Sequence, residues 1–152
     1  RAVPRMAAAA AADGITLELV TGYQDVSARE AAFDARKQVY LEGLSEEEAA
    51  AYAASVCPPA NASEQATGYA ADILSPDCTE KTTRFADTRA YEWLTAYAAE
   101  YGFVLRWPEE RQAATGMVYD LAWRYVGVEN ALAIRASGLS LEEFLALERT
   151  KL

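Results

Sequence analysis

Asp72 with Asp120 could in principle form a carboxylate pair, for acid–base hydrolysis or as oxygen ligands for a cation. The stretch SEQATGYAADI, Ser63 to Ile73, sets Asp72 seven residues after Gln65, with Ser63 and Glu64 just ahead. Taken alone, Asp72 reads as a strand-end carboxylate hydrogen-bonded to backbone or to Gln65. Ser63 and Glu64 are consistent with loop capping. Cys57 lacks the base that would activate a thiol nucleophile, because the chain contains no histidine.

Cys57 and Cys78 bracket this stretch. Two cysteines are too few for a zinc ribbon and are not spaced as C-x-x-C. In an extracytoplasmic setting they are disulfide candidates. A bridge would close a loop of about 20 residues, worth roughly 3 kcal/mol in the chain-entropy model. The alternative is two unpaired, partly buried thiols.

At 152 residues, the chain reads as one domain, 1–152, able to bury about two-thirds of the surface its unfolded form would expose. Its 14 basic against 23 acidic residues give a formal charge of −9. That balance argues against nucleic acid or anionic lipid as a partner, since both need clustered Lys and Arg. No apolar run is long enough for a transmembrane helix. The chain opens on Arg1, with neither an initiator Met nor an apolar leader, which reads as a fragment or mature form of a longer precursor.

The elements that must position these residues can be read from periodicity and caps. A helix is expected over Pro4–Ala12, then a strand in ITLELVTG turning at Gly22. Ser27 with Glu30, Ser45 with Glu48 and Ser140 with Glu143 each fit a capping box opening a helix. CPPANAS is a loop, and TGYAADIL is the next strand. Trp93, Tyr97 and Tyr101 recur at spacing four on a helix that Gly102 ends; that spacing predicts core packing rather than a ligand-stacking surface. FVLRW and the segment from Met117 to Val126 are strands separated by a polar connection, EERQAATG. Two helices close the chain. Helices and strands do not alternate regularly, so the fold class is α+β, a small antiparallel sheet flanked by helices.

In order along nearly the whole chain lie Thr21-Gly22-Tyr23-Gln24-Asp25, Ser63-Glu64-Gln65 with Gly68, Ala70 and Asp72, Trp93-Leu94, Tyr101-Gly102-Phe103, Arg106-Trp107-Pro108, Thr115-Gly116 and Arg124-Tyr125-Val126-Gly127. This series resembles the VanY-type D-alanyl-D-alanine carboxypeptidases, a family of zinc peptidases. The family pattern runs S-G-Y-R-S, S-x-H-x-x-G-x-A-x-D, W-L, Y-G-F-x-x-R-Y-P, T-G and E-P-W-H-F-R-Y-V-G. The resemblance implies a DD-peptidase/Hedgehog-like fold. It also implies zinc held by the His and Asp of the second element and the His of the last, with a carboxylate near that last His as general base.

The chain departs from this pattern at each chemical position. Gln65 stands at the first His, and a neutral amide is a poor zinc ligand beside an imidazole. Gln24 stands at the turn arginine, which the family assigns to gripping substrate or oxyanion. The last element is one residue short, so Tyr119 or Asp120 falls at the general base, and Ala122, Trp123 or a gap at the second His. Asp72 alone remains as a vestigial ligand.

The expectation is a catalytically inactive member of the family, with zinc not expected as a cofactor. Its former cleft, with Tyr23, Gln24, Ser63, Glu64, Gln65, Asp72, Tyr119 and Trp123, would bind a peptidoglycan stem peptide or another extracytoplasmic ligand of a bacterium. Two alternatives stand beside it: an interaction or regulatory scaffold with no cleft ligand, and a peptidoglycan peptidase of altered, non-zinc chemistry. An aromatic ring, Tyr119 or Trp123, is expected to fill part of the vacated histidine space.

Overall fold

The computed structural model describes residues 2–117 and 121–150. Four strands, β1 (Glu18–Thr21), β2 (Ala70–Leu74), β3 (Phe103–Leu105) and β4 (Ala122–Tyr125), form one antiparallel sheet in the order β1-β2-β4-β3. This is the α+β arrangement expected. The central strand β2 is buried along its whole length, which explains its run of small and apolar residues around a single charge. All four strands are shorter than the β-prone segments that contain them. The ladder begins at Ala70 because Gln65–Thr67 form a 3-10 turn and Gly68 reverses the chain at φ 72°.

Side-chain alternation sorts the strands into two faces. Ala71 and Ile73 of β2 and Trp123 of β4 join the main core, where Met6 and Ala10 of α1 (Ala2–Ala12) and Trp93 and Leu94 of α4 (Arg89–Tyr97) pack with Phe85. Trp93 is core, as its spacing predicts. Tyr97 stacks on it at 5.3 Å between centroids but is 44% exposed, so the aromatic series runs from the core out to the surface.

Two capping boxes form as read. Ser45 caps α3 (Glu46–Val56) with Glu48, and Ser140 caps α7 (Leu141–Arg149) with Glu143. The third does not. Helix α2 (Val26–Leu41) is capped by Asp25, whose carboxylate accepts from the Ala28 N–H and from the Ser27 hydroxyl, both at 2.8 Å. A carboxylate two residues upstream takes the capping role and turns Ser27 into a donor. EERQAATG, expected as an irregular connection, is instead a 3-10 turn followed by α5 (Gln112–Thr115). Helix α6 (Val128–Ser137) leads into α7. Gly102 ends the α4 region at φ 88°. A Cβ there would lie 2.6 Å from the Tyr125 ring and 3.1 Å from Gly127 backbone, so this turn excludes every side chain. Among the described residues, no helix is long and apolar enough to cross a membrane.

Candidate functional site

Asp72 sits in the middle of the sheet. In the ladder it faces Thr21 of β1 on one side and Ala122 of β4 on the other. It is 2% exposed. A carboxylate so placed must be matched by donors or cations. Gln65 supplies one, its amide Nε2 donating to Asp72 Oδ1 at 3.1 Å while its Oε1 accepts from the Ser63 hydroxyl at 3.2 Å. Lys81 supplies the other, its ammonium 2.9 Å from Asp72 Oδ2. Both oxygens of Asp72 are thus taken by the chain's own donors.

Glu64 does not stand free at a rim. It pairs with Arg106, Nε to Oε1 at 2.6 Å, and with Arg124; Arg106 also reaches Glu142 of α7 at 2.5 Å. This network ties the loop before β2 to β3, β4 and α7. Gln24 joins the site through backbone, its N–H donating to the Gln65 carbonyl at 3.2 Å. Its side-chain Oε1 accepts from Arg29 Nη1 at 3.0 Å. Tyr23 is 69% exposed and lines a groove of about 380 Å³ with Leu19, Tyr69 and Tyr125, away from the Asp72 carboxylate.

Register separates Ala122 from Trp123. Ala122 is the residue opposite Asp72, hence on its face, and Trp123 points the other way into the helical core. Trp123 therefore leaves the set of cleft residues, because one step along a strand changes the face. Ala122 is fully buried, in a small apolar cluster with Trp107 and Met117. Tyr119 and Asp120 lie outside the described residues.

Of the two readings open for the cysteines, the structure has the second: Cys57 and Cys78 are both free, partly buried thiols. Cys57 Sγ accepts from Arg29 Nη2 at 3.4 Å, whereas Cys78 Sγ donates to the Glu80 carbonyl at 3.7 Å. Each sulfur is engaged in its own neighbourhood, at the end of α3 and in the turn after β2.

Lys81, Arg29 and Trp107 were not among the sequence candidates. For Lys81 the signal is indirect, since a buried aspartate stripped of a metal needs some cation, and Lys81 follows nine residues later. Arg29 has a clearer one, as the arginine nearest in sequence to the uncharged Gln24.

A zinc ion does not suit this donor set. The chain has no histidine. Gln65 turns its NH₂ towards Asp72, a methyl stands at the register position opposite, and an ammonium holds the remaining carboxylate oxygen.

The chain belongs to the VanY family, described as D-alanyl-D-alanine carboxypeptidase, which it matches over residues 1–128. A D-alanyl-D-alanine carboxypeptidase of Enterococcus faecalis is 32% identical over 144 residues, covering 93% of this chain and 52% of the relative. Among solved structures, VanYB in complex with D-alanine-D-alanine superposes with a TM-score of 0.84 at 28% identity, covering 95% of this chain and 78% of that one. A mutant of the vancomycin-resistance D,D-pentapeptidase VanY in complex with Zn(II) gives 0.81 at 28% identity, covering 95% and 79%. The chain spans about half the length of the curated relatives it matches.

Proposed function

We propose that this chain is a family member that does not hydrolyse peptide bonds, and that its cleft binds the stem peptide of the bacterial cell wall, outside the cytoplasm and without zinc. The observation carrying this reading is the state of Asp72. Its carboxylate is matched by Gln65 and Lys81 and so needs no metal to offset its burial. The same pairing supports a structural role for Asp72 over acid–base catalysis, since both of its carboxylate oxygens are already engaged by the chain's own donors. The relatives' action on D-alanyl-D-alanine supports the choice of ligand and of compartment.

Elemental analysis of the purified chain, a D-alanine release assay and a titration with a D-alanyl-D-alanine-terminated stem peptide test it together. The expected result is binding without stoichiometric zinc and without release. Near-stoichiometric zinc with release that a chelator abolishes overturns it. Failure to bind the peptide would leave the scaffold reading in its place.

A further inference from the structure

A cavity of about 180 Å³ opens beside β3, where the main core meets the smaller cluster of Ala99, Val104, Ala131 and Ile134. Leu94 of α4, Phe103 of β3, Trp123 of β4 and Ile134 of α6 form its apolar wall, and all four are buried. Its polar edge carries three charges, Glu110 and Arg111 of the 3-10 turn Glu109–Arg111 and Arg135 of α6. Among the described residues, neither Asp72 nor Gln65 borders it. The volume suits one aromatic ring or a short alkyl chain, since an apolar cavity of about 150 Å³ holds benzene.

The charges at this edge are not all matched. Arg111 donates to the Gly138 carbonyl and pairs with Glu143 at 3.5 Å. Arg135 donates to the Ala96 carbonyl at 2.5 Å and pairs with Glu100 at 3.9 Å. Both cations are thus committed to carboxylates that do not line the cavity. Glu110 forms no ion pair among the described residues, and neither does its neighbour Glu109. Their field reaches the cavity wall: burial first, and then Glu110, raises the half-buried Tyr91 phenol above the ordinary tyrosine value. The formal charge of −9 adds a long-range preference for cations over anions. An apolar cavity with one unmatched carboxylate at its edge fits a small molecule that is apolar at one end and cationic at the other. We propose that this cavity is a second binding site, for a small organic amine. Its hydrocarbon part lies against Leu94, Phe103, Trp123 and Ile134, and its ammonium meets Glu110. The site goes beyond the stem-peptide reading and does not depend on it, because the residues around Asp72 take no part.

The test uses the full chain with labelled leucine and isoleucine methyls, titrated with 2-phenylethylamine and followed by NMR. The methyl resonances of Leu94 and Ile134 should shift saturably, because a ring entering the cavity changes the field at both. 2-Phenylethanol has the same shape without the charge and should bind about two- to fivefold more weakly, the weight of one exposed ion pair. 3-Phenylpropanoate, with the opposite charge, should bind more weakly still. Ethylamine, the cation without the ring, should leave both methyls in place. Glu110→Gln should bring the amine down to the affinity of the alcohol, and the exposed position of Glu110 makes this variant a mild one for folding. Methyls that the amine does not move overturn the site. Equal binding of amine, alcohol and acid, or a Glu110→Gln variant that keeps the amine's advantage, overturns the choice of a cation. No stem peptide enters these titrations, so their failure and that of the proposed function are read separately.

Discussion

Ala122 and Trp123 are neighbours in β4, yet they lie in two different environments. Trp123 joins Ala71, Ile73 and Leu94 in the core beneath the helices, while Ala122 faces Asp72 across the ladder. On the core face the requirement is volume, and the side chains are large and apolar. On the other face the requirement is to neutralise one buried charge and fill the space around it. Lys81 and Gln65 meet the first need, and Trp107, Met117 and Ala122 form a small buried apolar cluster on the other side of the ladder pair. The two faces of one sheet thus carry separate requirements, and a substitution on one is expected to leave the packing of the other in place.

The largest test of this separation is to put the ligands back. If only the Asp72 face has changed, Gln65→His with Ala122→His should restore metal binding without disturbing the core. Elemental analysis is expected to rise from no stoichiometric zinc to about one ion per chain, with Lys81→Ala tightening the site by freeing the second oxygen of Asp72. A double variant that folds but takes up no zinc would mean that Ala122 is not the lost ligand position. Next in size is the core face. Trp123→Ala should cost about 3–5 kcal/mol and Leu94→Ala about 2–5 kcal/mol in urea unfolding, because each leaves a cavity. Costs below about 1 kcal/mol would show that this face is not what holds the sheet.

On the Asp72 face the expected effect is smaller. Lys81→Met should destabilise by about 1–3 kcal/mol, less than the loss of a fully buried pair because the Lys81 side chain is 36% exposed. Asp72→Asn in the Lys81→Met background should recover most of that loss, since the uncompensated carboxylate is then gone. Additive effects of the two substitutions would break the idea that they form one unit.

How far the sequence could be read follows the same division. Local signals were reliable. The boxes at Ser45/Glu48 and Ser140/Glu143 formed because both partners lie within one turn, and Ser27 failed only because Asp25 offered a stronger acceptor nearby. The order of motifs placed Asp72, Gln65 and Gln24 together because the chain keeps the turns between them. What could not be read depends on long-range register. Whether position 122 or 123 faces Asp72 is set by the ladder to β2, fifty residues earlier in the chain. The partner of a buried charge is likewise unmarked by any period, so the pairing of Lys81 with Asp72 is set by the fold and not by spacing. The cysteine pair shows the converse. Its spacing allowed a bridge that the turn after β2 does not make.

The smallest expected effect concerns the helix caps, which belong to neither face and should respond to neither set of substitutions. Ser140 is 1% exposed and its hydroxyl accepts from the Glu143 N–H, so Ser140→Ala should cost about 1 kcal/mol. The box also carries a pH signature. The Ser140 backbone N–H and then its hydroxyl, with a smaller contribution from Arg111, hold the Glu143 carboxyl below the ordinary glutamate value. The hydroxyl and then the backbone N–H of Ser45 do the same for Glu48. A carboxyl whose value is lowered by folding stabilises the native state fully above its unfolded value, and that contribution fades as pH falls through the lowered one. Urea midpoints measured between about pH 3 and 6 should therefore decline towards acid, and decline less steeply in Ser140→Ala and Ser45→Ala. Leu94→Ala on the core face adds no titrating group and should leave that slope unchanged. If it altered the slope as much as removing a cap does, the sheet and the helix ends would be coupled, and the independence inferred from Ala122 and Trp123 would fail.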